Sequence, residues 1–271
     1  MLGDYDAVTR LSRRVLLDAL EALEPHREAV ILAGAQAIYL HTQDADLAVA
    51  PYTADADLAL DPQVLGEIHP LEAAMQAAGF TPGIQPGIWN TRAAGVTIDL
   101  LVPEAVGGRP GKRAAHLRGH GQTVARQVQG LEAVLIDHAP MSITALEDSD
   151  PRQIEVNVAG PGSLLVAKLY KVNERRGDPR RAKPKDALDI FRLLQLPTET
   201  LAERITVLGQ TALTQGTTQE ALRLLAELFG TEAGFGSQQA VQAASVLADP
   251  AFVAAACAAL AQDLLSAVQR S

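Results

Sequence analysis

The sequence predicts an α+β fold, with a mixed sheet and flanking helices over residues 1–160 and an all-helical domain over 161–271. Three observations predict it. Short apolar runs bounded by Gly, Pro and Asp recur through the first half, as strands do. From Pro161 onward every segment carries helical spacing instead. Consecutive short strands and a long Gly-rich insertion interrupt the strand–helix alternation that a regular doubly wound sheet needs.

The elements follow in order. Val8, Leu11, Val15, Leu16, Leu20 and Leu23 recur at helical spacing, so residues 4–24 read as an amphipathic helix that Pro25 ends. Ala29 to Ala33 is an apolar strand, and 35–41 a short helix after Gly34. Ala56 to Leu60 is the next strand, closed by Asp61-Pro62, and 63–78 reads as a helix stopped by Gly79. Residues 81–95 are rich in turn formers and leave room for one strand near Ile88-Trp89, where core packing is the expected role of the indole. Val96 to Val102 is a strand. Gly107-Gly108-Arg109-Pro110-Gly111 opens a basic insertion with little expected order. Residues 133–137, 141–146 and 153–158 read as short strands. A helix runs from Pro161 to about Arg176, a loop reaches Pro184, and a helix spans 185–195. Helices then continue, with breaks near Gly209, Gly230 to Gly236 and Asp249-Pro250. No internal repeat is visible.

Composition bounds the function. With 271 residues and 48% hydrophobic content the chain has ample core. No apolar run of about 18 residues is seen, so no membrane span is expected. The acidic N-terminus lacks the character of a signal peptide, and a lone cysteine, Cys257, reads as a small buried apolar group. A soluble cytoplasmic protein is the simplest account. The net charge is −9, yet residues 105–130 hold five basic side chains and no acid, and 168–185 hold eight basic side chains against two acids. An acidic body with two basic segments suits a polyanionic ligand held locally rather than the coating of a long duplex.

The acids carry the chemistry. Tyr52-Thr53-Ala54-Asp55-Ala56-Asp57-Leu58 places two carboxylates at i and i+2 of a strand, hence on one face. Two such carboxylates repel unless a cation joins them, and Mg²⁺ takes a few hard oxygens plus phosphate. Asp99, the lone acid of Val96 to Val102, is the third candidate. In the second half, Lys168, Lys171 and Arg175 fall within an arc of about 60° beside the apolar face of their helix. Asp186 falls on the apolar face of the next helix, where a carboxylate needs a partner. Lys168 is the expected one, either fixing two helices or reaching a ligand. His116 and His120 have i, i+4 spacing, but no intervening Glu makes them a metalloprotease motif.

Ala33-Gly34-Ala35-Gln36, then Thr53-Ala54-Asp55-Ala56-Asp57, then Asp99, resembles the polymerase-beta-like nucleotidyltransferase superfamily. Val166-Ala167-Lys168-Leu169 and Lys183-Pro184-Lys185-Asp186-Ala187-Leu188-Asp189 resemble segments of its AbiEii-like branch of toxins. The resemblance spans about residues 29–194. It implies a Mg²⁺-dependent transfer of a nucleoside monophosphate from a triphosphate to an acceptor hydroxyl, with a tRNA or other RNA end as acceptor, and a toxin role with a cognate antitoxin. Asp55, Asp57 and Asp99 are then the metal ligands, with Asp99 also helping to deprotonate the acceptor. Gly34, Ala35, Thr53, Lys168, Lys171 and Arg175 are the nucleotide contacts, and Asp186 orients Lys168. Where the superfamily commonly has Gly-Gly or Gly-Ser this chain has Gly34-Ala35, and Pro51 stands where relatives often place arginine; both departures remove phosphate contacts. Two alternatives stay open: an antibiotic-type transferase acting on a small molecule, and a nucleotide- or RNA-binding module without turnover.

Overall fold

A computed structural model describes residues 2–42, 53–92, 95–108, 111–178, 183–244 and 248–270, with side chains from residue 7 onward. Pro51 and Arg109 lie outside the described residues. The fold is α+β, as expected. It divides into two compact units: Met1–Ala37 with Pro51–Ala159, and Ile38–Ala50 with Gly160–Ser271.

In the first unit helix α1 (Leu2–Ala22) precedes strand β1 (Val30–Ala33), the first half of helix α2 (Gly34–His41, assigned to the second unit from Ile38 onward) and strand β2 (Asp55–Leu60). Helix α3 (Leu71–Ala77), the short strands β3 (Thr81–Pro82) and β4 (Ile88–Asn90), and β5 (Thr97–Pro103) follow. Strands β6 (Arg126–Val128), β7 (His138–Thr144) and β8 (Gln153–Ala159) complete a mixed sheet of order β3-β4-β5-β2-β1-β8-β7, with β6 paired to β5. The central pairing is β2 against β5, parallel and in register from Asp55↔Thr97 to Ala59↔Leu101. On β2 the alternates Ala56, Leu58 and Leu60 are buried, as are Ile98, Leu100 and Val102 on β5. These share one face of the sheet, and the acids share the other. Helix α1 packs against β5, β2 and β8, and its Val15, Leu16, Leu17 and Leu20 are buried, as is Leu23 just beyond it.

Several local expectations are corrected. The helix expected over 63–78 is confined to Leu71–Ala77. His69 precedes Pro70 and has φ of 62°, and a residue before proline is driven out of the α region, so the helix cannot start earlier. Residues 133–137 are not a strand. Glu132–Leu135 is a 3-10 turn, and its buried Glu132 accepts the Ala105 N–H at 3.2 Å. The basic insertion is folded rather than loose. Ala114 pairs with Arg126, Ala115 N–H donates to Ala125 at 3.0 Å, and Ala115, Leu117 and Val124 are buried. Its few apolar residues, dispersed among glycines, give no periodic signal. Trp89 is core, and its Nε1 donates to the Val124 carbonyl at 3.0 Å. His116 is exposed while His120 is buried edge-on against His26, so the i, i+4 pair is no ligand pair.

The second unit holds α4 (Pro161–Arg175), α5 (Pro184–Leu194), α6 (Thr198–Gln210), α7 (Gln215–Phe229), α8 (Phe235–Ala244) and α9 (Pro250–Arg270). Helix α4 packs on α5, α6 and α7, and α9 packs on α6, α7 and α8. Among the described residues one helix, α9, is long and apolar enough to cross a membrane by length and composition, although Gln262-Asp263 interrupts its apolar run. One of its faces is buried in the unit through Val253, Cys257, Ala261 and Leu264.

Burial pushes the Cys257 thiol up to about 12. The thiolate is the reactive form. We expect thiol reagents at neutral pH to leave the native chain unlabelled and to modify Cys257 at a rate set by unfolding. Fast labelling under native conditions would show that α9 is not seated as described.

Candidate functional site

The site in the first unit is built by strand register. Asp57 of β2 and Asp99 of β5 are Cα partners on adjacent parallel strands, about 4.8 Å apart in the sheet. Residues in register share a face, so both carboxylates project together, and Asp55 lies one pleat earlier on the same face. Asp57 is 9% exposed and Asp99 8%. This face also carries Arg126, whose Nη2 donates to Asp99 Oδ2 at 2.7 Å. Thr53 is buried, and its hydroxyl donates to Asp55 Oδ1 at 2.6 Å.

Gly34 closes the other side. It has φ of +66°, and a Cβ built there would lie 2.0 Å from Asp57 Oδ2. The chain thus leaves β1 in a left-handed turn that only glycine adopts readily, with the Asp57 carboxylate against its Cα. The first turn of α2 begins at that point, so its backbone N–H groups lie beside the acid pair. Ala35 is buried and brings no hydroxyl. Gln36 is committed elsewhere: its amide donates to Ser12 Oγ at 3.0 Å and its carbonyl accepts from Arg13 Nε at 3.2 Å. Gln36 therefore does not replace the phosphate contact that Ala35 lacks.

The three acids do not close into one preformed cage. Among the described residues no group of three or more His, Cys, Asp or Glu is placed to hold a metal ion. Thr53 engages Asp55, and Arg126 engages Asp99. What remains close is the Asp57–Asp99 pair. Such a pair of hard oxygen donors fits Mg²⁺, which keeps several waters and is held by one or two carboxylates plus substrate phosphates.

In the second unit the expected pair between Lys168 and Asp186 is present, with Nζ 2.9 Å from Asp186 Oδ1, and Asp189 Oδ2 joins it at 2.7 Å. Arg175 donates to Asp186 Oδ2, and Lys171 lies 3.8 Å from Oδ1. Burial alone would lower the Lys168 pKa, but the charges of Asp189 and Asp186 overcome it, and the ammonium stays protonated far above its ordinary range. Burial would likewise raise Asp186, but the Lys168 and Lys171 charges hold its carboxyl well below the usual range. Lys168 is 4% exposed and already faces two carboxylates, so its ammonium locks α4 to α5. Lys171 and Arg175 are the more accessible cations, with side chains 31% and 19% exposed.

Sequence reasoning counted Arg126 only as one charge of a basic stretch and did not bring it to Asp99. No local signal could have done so, because β6 is three residues long and follows the whole insertion. Asp189, the last residue of the Lys183–Asp189 segment, lies three residues along the helix from Asp186, and the periodicity places it on the same face.

The family model described as Nucleotidyltransferase matches residues 13–213, and the chain belongs to this family of enzymes. No curated protein and no solved structure matches it.

Two predictions follow from the packing. Gly34→Ala forces a Cβ into Asp57, and a displacement of about 1 Å at such a centre costs roughly 10²-fold in rate; nucleotidyl transfer should fall by that factor while the far-UV spectrum stays native. Lys168→Met leaves Asp186 and Asp189 buried without their ammonium, and urea unfolding should show a loss of about 3–5 kcal/mol. The depressed Asp186 carboxyl adds stability that is complete above its unfolded value of about 4 and is lost as pH falls toward its lower folded value. The wild-type advantage over Lys168→Met should therefore shrink below pH of about 4.

Proposed function

We propose that this nucleotidyltransferase uses Asp55, Asp57 and Asp99 to hold Mg²⁺ and moves a nucleoside monophosphate from a nucleoside triphosphate onto the hydroxyl of an RNA end, tRNA included. The observation that carries this reading is the register of β2 with β5, with Asp57 beside Asp99 and against Gly34. When bound, Mg²⁺ neutralises charge on the phosphates and on the attacking and leaving oxygens. The chain's own residues do the rest. The left-handed Gly34 lets the Asp57 carboxylate approach the backbone, and N–H groups of the first turn of α2 are the donors for the triphosphate oxygens. Thr53 holds Asp55 in place. Asp99 is assigned the proton of the acceptor hydroxyl, the one proton transfer the reaction asks of the protein.

In the helical unit Lys171 and Arg175 form a cationic helix face available to phosphate oxygens, and Lys168 positions it through Asp186. The folded basic stretch ending at Arg126 presents Lys112, Arg113 and Arg118 at the surface. Its charge supports a polyanionic acceptor over a small neutral one. The Lys168 and Lys183–Asp189 segments, by resemblance to the AbiEii-like branch, support a cytoplasmic toxin controlled by an antitoxin. Ala35 without a hydroxyl favours the second reading, a module that binds nucleotide without turnover.

The test is incubation with each labelled nucleoside triphosphate, Mg²⁺ and total tRNA. Wild type should transfer label from at least one nucleotide, and Asp57→Asn should lower transfer by roughly 10²-fold or more. No transfer with any nucleotide, or full transfer by Asp57→Asn, would sink the reading. Label moving to small hydroxylated antibiotics but not to RNA would redirect it to the small-molecule class. RNA transfer should also weaken steeply with salt, as phosphate contacts do.

A further inference from the structure

Arg126 is held in place from several sides. Its guanidinium lies 2.7 Å from Asp99 Oδ2, and the two side chains are 18% and 11% exposed. Its strand pairs with β5 through Leu101↔Arg126, and Ala114 bridges it on the other side. Gly87, with φ of +77°, fits between the two strands; a Cβ there would lie 2.5 Å from the Leu100 carbonyl and 2.6 Å from the Arg126 nitrogen. The sheet thus positions a guanidinium at the carboxylate next to Asp57.

The electrostatic consequence has two signs. Without a bound cation, the guanidinium offsets the repulsion between Asp57 and Asp99, which a β-sheet otherwise penalises at directly opposed positions. Toward a divalent cation arriving at the same carboxylates, the guanidinium is a like charge at close range. Once triphosphate oxygens add several negative charges, that opposition is outweighed.

We propose that Arg126 is a positioning residue that keeps the Asp57–Asp99 pair together and resists a bare divalent cation, so that the cation enters with the nucleoside triphosphate rather than before it. This rests on the reading that Asp57 and Asp99 are metal ligands and adds an order of loading to it.

The experiment is a Mn²⁺ titration of the full chain without nucleotide, followed by the electron paramagnetic resonance of free Mn²⁺, on wild type, Arg126→Gln and Arg126→Lys. Arg126→Gln should bind Mn²⁺ about fivefold more tightly than wild type, the scale of one screened unit charge a few ångström away. Arg126→Lys keeps the charge but withdraws it from Oδ2, and should fall between the two. A native circular dichroism spectrum with unchanged or weaker Mn²⁺ affinity in Arg126→Gln overturns the inference. If Arg126→Gln does not fold, Arg126→Lys decides alone: tightening supports the inference and none overturns it. Transfer activity in wild type alongside unchanged Mn²⁺ affinities defeats only the role of Arg126. Absence of both Mn²⁺ binding and nucleotidyl transfer in every variant defeats the metal-ligand reading as well.

Discussion

The register between β2 and β5 is the constraint on which the first unit turns. Side chains alternate faces along a strand, so a slip of one residue would exchange the buried Leu58 and Leu100 with Asp57 and Asp99. The apolar face therefore fixes the position of the acidic face. Leu58, Leu60, Ile98, Leu100 and Val102 are buried together, and each contributes about 1.5–3 kcal/mol relative to exposure. That burial outweighs the repulsion of two carboxylates, which amounts to about 1 kcal/mol in water and about 4 kcal/mol at an effective dielectric of 20 for charges 4 Å apart. The acid pair is a strained feature that the hydrophobic core enforces and that Arg126 partly relieves.

The second unit solves the same problem with the opposite economy. Asp186 and Asp189 are buried on α5, and their charges are met by Lys168 from the core of α4, with Arg175 and Lys171 at its margin. A buried pair of this kind gives little net stability over an apolar replacement, while loss of one member is costly. Its value lies in specificity: the helices can meet in only one register if the ammonium is to reach both carboxylates. That same register carries Lys171 and Arg175 to the accessible edge of the cluster. The sequence alone left Lys168 between a structural and a ligand-binding role, and the structure buries its ammonium against Asp186 and Asp189.

Legibility in the sequence followed the range of the interactions. Helices α4 and α5, strand β8 and the acid-bearing strands were readable because hydrophobic periodicity is local and strong. The helix over 63–78 was overextended because His69-Pro70, a local stop signal, sits among Val64, Leu65, Ile68 and Leu71, which keep helical spacing across it. The strand expected at 133–137 failed because a four-residue apolar run is compatible with a buried turn as well as a strand. The insertion was misread as loose because Ala115, Leu117 and Val124 are buried around single bridges, Ala114↔Arg126 and Leu117↔Gly121, which leave no periodic hydrophobic pattern.

The sequence by itself determined that this chain has two acids on one strand face, a third on a later strand, a glycine before a short helix, a lysine beside the apolar face of one helix and an aspartate on the apolar face of the next. These are consequences of period two and period 3.6, which act between near neighbours. Only the tertiary structure decided that Asp57 stands beside Asp99 rather than beside another residue, that Gly34 is obligatory because Asp57 fills the space of its Cβ, and that Arg126 reaches Asp99. Strand order and register join residues tens of positions apart, and they are set by the summed burial of the whole sheet rather than by any segment of it.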